Sequence, residues 1–326
     1  MQLISDIHLS VNEANLMMNT FKFLDSYCDK AENLNDDEIE EFIKSVSTLS
    51  LFLPIQITQL SNPNFSVERI IINKYIPGNK NQRVLNLADL RYPPRSAAST
   101  IGWNRASMKG QIMFYGGIRG ALPLSLETSP KKGEIITKSK WKLREGKTIN
   151  VIVLCQSQEL VEANPIELQE DYREYNIMLS TLSPHTKVVV EEFYKLLIKA
   201  FTKKVDPTKK QGYLISAFLS DFIFKHFSVR VDAIMYPSVP FGKLAMNIAI
   251  RPDVLDESFQ MIEAFDGEVL YDPSMGKDMV KLEERGTCIS YDPKDLQLVW
   301  NHSNGLTSHL WINELTTFEE LHKFND

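Results

Sequence analysis

The chain has 326 residues, of which 43% are hydrophobic and 24% are charged, and its formal net charge is −6. This composition is typical of a globular protein with one large domain or two ordinary ones. The acidic balance gives no basic face for nucleic acid, and no run of eighteen apolar residues is present to span a membrane. We therefore expect neither direct nucleic acid binding nor a membrane anchor.

The chain start and the cysteines both indicate a cytoplasmic protein. The first residues contain no basic segment followed by a long apolar run, so we expect no signal peptide. Cys28, Cys155 and Cys288 are far apart and form neither a CxxC pair nor a spacing typical of metal ligands. Reduced thiols in the cytoplasm are the expected state.

Residues 1–62 are predicted to form an acidic, helical N-terminal segment. Asn35 is suited to cap a helix that begins at Asp36, because acidic residues in the first turn interact favourably with the helix dipole. The Asn62-Pro63-Asn64 sequence is typical of a turn or linker and ends this segment.

Residues 65–254 are predicted to form an α+β domain with a mixed β core flanked by helices. The β-branched and apolar runs predict strands at residues 69–72, 111–115, 134–141, 150–154, 233–236 and 245–250. Helical patterns predict helices at residues 166–180, 186–203 and 212–227. We expect residues 255–326 to form an α/β extension of short elements packed on this domain.

Two passages combine residues that suit a chemical role. The first contains Arg105, Ser107 and Tyr115 and reaches Glu127, and the second runs from Asp232 through Ser238 to Asn247; both end predicted strands. Together they supply a cation, an acid, a phenol, a hydroxyl and an amide. This set suits a phosphate-containing ligand whose glycosidic bond is broken.

Other catalytic motifs are weaker. Asp6 and His8 are spaced like the first motif of metallophosphoesterases, but the further motifs of a two-metal site are absent and the six histidines are scattered. The sequence contains neither a dinucleotide-binding glycine fingerprint nor a P-loop, and no Gly-x-Ser-x-Gly elbow. We therefore predict no metal site.

The two passages resemble the RES domain family, which is named for an Arg, a Glu and a Ser. The similarity covers about residues 69–250, and the spacing inside each passage matches without gaps. The resemblance implies an ADP-ribosyltransferase-like fold and an intracellular toxin that consumes NAD+. It also implies restraint by a helix-turn-helix antitoxin protein.

The resemblance also implies roles for individual residues. Glu127 is expected to stabilise the oxocarbenium-like ribose, Tyr115 to stack on the ligand, and Arg105 to hold the pyrophosphate. Ser238 is expected to hydrogen-bond a ribose or an incoming phosphate. Ser107 and Asn247 are expected to complete the NAD+-binding wall.

The chain departs from the family pattern at several positions. Asn104 replaces a Gly, Ser107 replaces an Asn and Ala233 replaces a Gly. The family's leading Arg has no clear counterpart. Lys74 lies about where it is expected, and the alternatives are Arg69, Arg83 and Arg91. A Lys binds phosphate only as a point charge, so a change from Arg to Lys weakens the binding of the pyrophosphate.

We therefore expect cleavage of NAD+ by hydrolysis, phosphorolysis or ADP-ribosyl transfer, with phosphate as a possible co-substrate and no other cofactor. The alternative is a RES-like module that binds a nucleotide or a partner without catalysis, which the altered Arg positions favour.

Overall fold

A computed structural model describes residues 8–47, 53–118, 128–227, 229–239, 245–271, 279–302 and 308–312. The protein is α+β, as expected, and divides into two compact units that each combine separate stretches of chain. Unit 1 comprises Met1–Leu60, Arg95–Met113 and Ile149–Pro237. Unit 2 comprises Ser61–Pro94, Phe114–Thr148 and Ser238–Asp326. The domain boundaries at residues 62 and 254 stay predictions.

Unit 1 is mainly helical. Its helices are α1 Val11–Cys28, α2 Asp36–Val46, α4 Gln158–Ala163, α5 Pro165–Thr181, α6 Pro184–Thr202 and α7 Leu214–His226. The strands in its described residues are β1 Thr58–Leu60, β5 Ile149–Val153 and β6 Ala233–Pro237. Strand β5 lies between the other two, antiparallel to β1 and parallel to β6.

Unit 2 contains an antiparallel sheet in which the strand order is β7-β3-β2-β4-β8-β9-β10, with β11 also paired to β9. The strands are β2 Ser66–Ile72, β3 Phe114–Ile118, β4 Ile135–Leu143, β7 Met246–Ile250, β8 Phe259–Tyr271, β9 Met279–Tyr291, β10 Leu298–His302 and β11 Ser308–Ile312. The described part of unit 2 also contains two short helices, α3 Ala88–Arg91 and α8 Pro252–Ser258.

The predicted start of α2 is confirmed. The Asn35 side chain accepts a hydrogen bond from the Glu38 backbone N–H, and the Glu38 carboxylate accepts one from the Asn35 N–H. This reciprocal capping box satisfies two backbone donors at the helix start. The amphipathic helix then buries Ile39, Phe42 and Val46.

Two predicted elements differ from the structure. The strand expected from residue 111 begins at Phe114, because Gln111 closes a hydrogen-bonded turn with Met108. The C-terminal elements expected to be short include β8 and β9, which have 13 residues each. Gly267 and Gly286 interrupt the apolar pattern of these strands, although both lie inside the ladder.

The segment between α6 and α7 is hydrogen-bonded to the end of α1 and the residues that follow it. The Lys203 ammonium donates a hydrogen bond to the Cys28 carbonyl and pairs with Glu32 at 3.3 Å. The Gln211 side chain donates to the Glu32 carbonyl. Gly212 is buried, and the Glu32 and Val205 side chains occupy the space that a Cβ at this position would need.

We expect Gly212→Ala to destabilise unit 1 by about 1–3 kcal/mol. A Cβ at this position lies 2.6 Å from Glu32 Cγ and 2.8 Å from Val205 Cγ1, so these two side chains must shift. Gly102→Ala is the matched control, because its nearest neighbour is Lys210 Cδ at 3.7 Å. Thermal unfolding of both variants checks the prediction, and equal melting temperatures would contradict it.

The three thiols are free and buried. Burial raises the pKa of Cys28 to about 12 and also raises the pKa values of Cys155 and Cys288. Thiols that stay protonated are poor nucleophiles, so none of the three is a candidate catalytic residue. Among the described residues, no helix is both long enough and apolar enough to cross a membrane.

Candidate functional site

In the described part of unit 2, the ladder between β2 and β3 contains two residue pairs. Val67 lies opposite Ile118 and Glu68 opposite Gly117, and no further described pair joins these two strands. Strand β2 nevertheless pairs with β4 along its whole length. The strands β2 and β3 therefore separate at Arg69, which leaves backbone groups available to a side chain.

Arg69 occupies the point where the two strands separate. Its Nη1 donates a hydrogen bond to the Tyr115 carbonyl at 3.1 Å, and its guanidinium carbon lies 5.2 Å from the centre of the Phe114 ring. Its Nε is buried and has no hydrogen-bond partner in the described part of the chain. The contacts of the guanidinium given above, with the Tyr115 carbonyl and the Phe114 ring, are thus both with neutral groups.

The Arg69 charge is not balanced by a carboxylate among the residues that the structure describes. Burial lowers the pKa of Arg69 to about 10, and the Tyr115 side chain opposes this shift. The group is still cationic at neutral pH. A half-buried cation without a protein anion loses part of its solvation, and a bound anion offsets that loss.

Ser238 is a second buried polar group in unit 2. It follows β6, its N–H donates to the Ala245 carbonyl at 2.8 Å, and the residue is fully buried. Its Oγ has no hydrogen-bond partner among the described groups. A buried hydroxyl in this state is costly, and such groups are frequent at ligand sites.

Asn247 and Tyr115 lie on neighbouring strands of unit 2. Asn247 is fully buried on β7, opposite Gly117 of β3, and Tyr115 is half-buried on β3, opposite Ala249. Because residues two apart on a strand share a face, Tyr115 and Asn247 belong to the same face of the sheet. The sequence-predicted phenol and amide are therefore brought together.

Lys74 and Arg91 lie in unit 2, but each is engaged by a carboxylate. The Lys74 ammonium pairs with Glu134, and hydrogen bonding to that carboxylate raises the pKa of Lys74. Arg91 Nη1 donates to Asp256 at 3.2 Å, and the same carboxylate accepts a hydrogen bond from the Tyr92 hydroxyl. The carboxylate partners of Lys74 and Arg91 distinguish both cations from Arg69, although the buried Nε of Arg91 also has no hydrogen-bond partner among the described groups.

Arg105 lies in unit 1 and closes the end of α6. Its Nη1 donates to the carbonyls of Phe201 and Lys203 at 2.5 and 3.1 Å, and its guanidinium lies 4.9 Å from the centre of the Tyr213 ring. Only 6% of the residue is exposed. A cation at a helix C-terminus interacts favourably with the last carbonyls, so this geometry is that of a structural cap.

Ser107 is also part of a local structure in unit 1. Its backbone exchanges two hydrogen bonds with Asn104, at 3.0 and 3.3 Å, and the residue is fully buried. These two backbone hydrogen bonds fix the turn that carries Arg105.

The remaining predicted catalytic residue, Glu127, lies outside the described residues, as does Asp6. The described part of the chain, which includes His8, contains no group of three or more His, Cys, Asp or Glu side chains arranged to hold a metal.

Sequence reasoning ranked Lys74 above Arg69 because it relied on position relative to the motif. The signal that favours Arg69 is a cation directly before the apolar run Ile70-Ile71-Ile72, in a strand that also contains Glu68. A charge at such a position is rare unless it is paired or functional.

In comparisons with known proteins, a scan against protein-family models and a search of the curated proteins each found no match for the chain.

Proposed function

We propose that unit 2 binds NAD+ and that the chain cleaves the bond between nicotinamide and ribose. The observation that carries this proposal is the half-buried Arg69 guanidinium, whose buried Nε has no hydrogen-bond partner and which has no carboxylate partner in the described part of the chain. A pyrophosphate is the kind of anion that such a cation binds. The proposal takes the fold to be RES-like, related to that of ADP-ribosyltransferases.

The site residues then have separate tasks. Arg69 holds the pyrophosphate, a task we transfer from Arg105 and Lys74, and Tyr115 stacks on a ring of the ligand. The buried Ser238 hydroxyl gains its missing partner from a ribose hydroxyl or a phosphate oxygen. Asn247 lines the same sheet face as Tyr115, whereas strand alternation places Arg69 on the face of Phe114.

The chemistry needs one carboxylate and no general acid. As the bond between the ribose carbon and nicotinamide breaks, its electron pair leaves with the nicotinamide nitrogen, which becomes neutral. The ribose develops oxocarbenium character, and the Glu127 carboxylate stabilises that charge. Water or phosphate then attacks the same carbon, and an attacking water loses its proton to the solvent or to the carboxylate.

Incubation of the full chain with NAD+, with and without phosphate, tests this function. We expect nicotinamide release, and a gain with phosphate indicates phosphorolysis. Ser238→Ala is expected to slow release by about tenfold, the effect of one hydrogen bond to a charged group. Loss of release in Glu127→Ala assigns the activity to this chain. Absence of release from the wild-type chain under both conditions contradicts the proposal.

A nucleotide-binding module without catalysis is the second candidate. It is favoured by Arg105, whose guanidinium is engaged by backbone carbonyls at the end of α6 and is withdrawn from a ligand. This candidate predicts saturable binding of NAD+ without nicotinamide release, unchanged by phosphate.

The cellular role proposed here is that of a cytoplasmic toxin restrained by a helix-turn-helix antitoxin protein. Expression of the chain alone is then expected to slow growth and lower cellular NAD+. Normal growth with unchanged NAD+ would count against the toxin.

A further inference from the structure

Unit 1 contains an open cleft with a volume of about 450 Å³. This volume is within the range of small-molecule sites, which is about 300–1,000 Å³. The lining side chains come from the three stretches of chain that form unit 1 and include Leu34, Asp36, Ile39, Trp103, Lys109 and Gln211. All lining residues belong to unit 1, so what the cleft binds can be separated from the reaction proposed for unit 2.

One wall of the cleft is a loop that a backbone hydrogen bond closes. The Gly110 N–H donates to the Ile101 carbonyl at 2.9 Å. Gly110 has a φ of +84°, a conformation that glycine adopts without strain. The closed loop carries Trp103 near its start and Lys109 near its end, and both residues line the cleft.

The start of α2 and the segment before α7 supply further walls. The capping box described above fixes the first turn of α2, where Asp36 lies, and Ile39 is buried on the same helix. The Gln211 Nε2 donates to the Glu32 carbonyl at 3.0 Å. The Gln211 Oε1 has no hydrogen-bond donor among the described groups, so this amide offers an acceptor to the cleft.

The Trp103 indole is the most buried polar side chain in the cleft lining. Only 9% of the residue is exposed, and its N–H has no hydrogen-bond partner among the described residues. An indole N–H is a donor only, and the indole of a buried Trp usually finds an acceptor. A ligand with a hydrogen-bond acceptor supplies the partner that this group lacks.

The cleft also carries one free charge of each sign. Lys109 and Asp36 are exposed, and neither forms an ion pair with a described residue. They do not pair with each other across the cleft either. A simple anion attracted by Lys109 would be repelled by Asp36, and a simple cation would be repelled by Lys109. The ligand that suits both side chains carries both charges.

We propose that this cleft binds a free amino acid with an apolar side chain. The carboxylate of the amino acid accepts a hydrogen bond from the Trp103 N–H and pairs with the Lys109 ammonium. The ammonium of the amino acid donates to the Gln211 Oε1 and pairs with the Asp36 carboxylate. Each polar group of the cleft lining that lacks a partner thereby gains one of the matching kind.

The apolar part of the lining explains why the ligand has a side chain. Leu34 is half-buried and Ile39 is buried, and both line the cleft together with the Trp103 ring. Burial of an apolar side chain against this surface contributes to binding. Glycine brings no such group, so the charges alone do not use the whole cleft.

Calorimetric titration of the full chain with L-leucine tests the site. We expect saturable binding at millimolar concentration. Leucine amide has no carboxylate and N-acetyl-leucine has no ammonium, and each is expected to bind about tenfold more weakly, because each loses hydrogen bonds to a charged group. Glycine is also expected to bind at least about tenfold more weakly, because it buries no side chain.

Two variants assign the charges of the ligand to the cleft. Lys109→Gln is expected to weaken L-leucine about tenfold and to leave leucine amide unchanged. Asp36→Asn is expected to weaken L-leucine about tenfold and to leave N-acetyl-leucine unchanged. A purely structural role of either side chain would not depend on the ligand in this way.

The matched controls are Lys204→Gln and Asp37→Asn. Both residues are exposed positions of unit 1 outside the cleft lining, and the variants remove the same charges. Their affinity for L-leucine is expected to stay within about twofold of wild type, as is usual for exposed charges.

Three results would overturn the site. These are a wild-type chain that does not bind L-leucine at millimolar concentration, leucine amide and N-acetyl-leucine that bind as tightly as L-leucine, or cleft variants that bind L-leucine as tightly as their controls. The dipeptide leucyl-leucine distinguishes a free amino acid from the end of a peptide, because its two charges are one residue further apart. Tighter binding of the dipeptide than of L-leucine would also overturn the proposal.

Discussion

Arg69→Met is expected to reduce nicotinamide release by at least about 100-fold while the chain stays folded, because removal of a preorganised cation from the ligand site costs several kcal/mol of transition-state stabilisation. Arg69 Nη1 bonds only the Tyr115 carbonyl, and its Nε has no partner in the described part of the chain. A Met side chain keeps the contact with the Phe114 ring but cannot bind an anion. The assay is release at saturating NAD+, together with the affinity for ADP-ribose.

The stability of this variant distinguishes a functional cation from a structural one. Arg69 loses part of its solvation on folding, and this loss lowers its pKa. No carboxylate among the described residues compensates for it. Replacing such a charge with an apolar group of similar size is often neutral or stabilising. We therefore expect the melting temperature of Arg69→Met to equal or exceed that of the wild type.

Two further variants sharpen the test. Arg69→Lys keeps the charge but loses the planar fork, so we expect intermediate activity. Lys74→Gln is the control for the alternative position, because the Lys74 ammonium is already paired with Glu134. Activity that is lost in Lys74→Gln and kept in Arg69→Met would reverse the assignment.

The sequence predicted most of the elements because their signals are local. The capping pattern at Asn35 and the β-branched run at residues 69–72 each identify an element without reference to the rest of the chain. The lengths of β8 and β9 were not predictable in the same way, because Gly267 and Gly286 are inside strands for reasons of packing. A Cβ on Gly286 would lie 2.6 Å from Arg83 Nη2, a residue about 200 positions away in the chain.

The candidate site was less predictable than the fold. The motif spacing identified Arg105 and Tyr115 together, but the two have different surroundings: Arg105 caps the end of α6 in unit 1, and Tyr115 lies on β3 of unit 2. Residue type and spacing indicate which groups a site needs. They do not indicate which cation is already engaged by carbonyls or carboxylates, since those partners come from distant parts of the chain.

The second large effect is expected at Arg83, where Arg83→Met should lower the free energy of unfolding by about 3–5 kcal/mol. Arg83 Nε and Nη2 each bond one oxygen of Asp266 at 2.9 Å, and Nη2 also donates to the Arg285 carbonyl at 2.7 Å. The guanidinium lies 5.0 Å from the centre of the Trp300 ring. Asp266 is fully buried, so removal of Arg83 leaves a carboxylate without its counterion inside unit 2.

Urea unfolding of two comparison variants separates this mechanism from a general loss of charge. Arg173→Met removes a cation that is 57% exposed and pairs with Glu170, so we expect a loss below about 1 kcal/mol. The double variant Arg83→Met with Asp266→Leu removes both buried charges and is expected to recover most of the lost stability.

The double variant also decides whether Arg83 serves as the leading Arg of the RES family that the sequence resembles. Both carboxylate oxygens of Asp266 are bound by Arg83, which leaves this guanidinium committed inside the protein. If the double variant is stable and still releases nicotinamide, Arg83 acts on stability alone, and the functional cation is elsewhere. A stable double variant without activity would instead place Arg83 in the site, since the lost activity then has no explanation in folding.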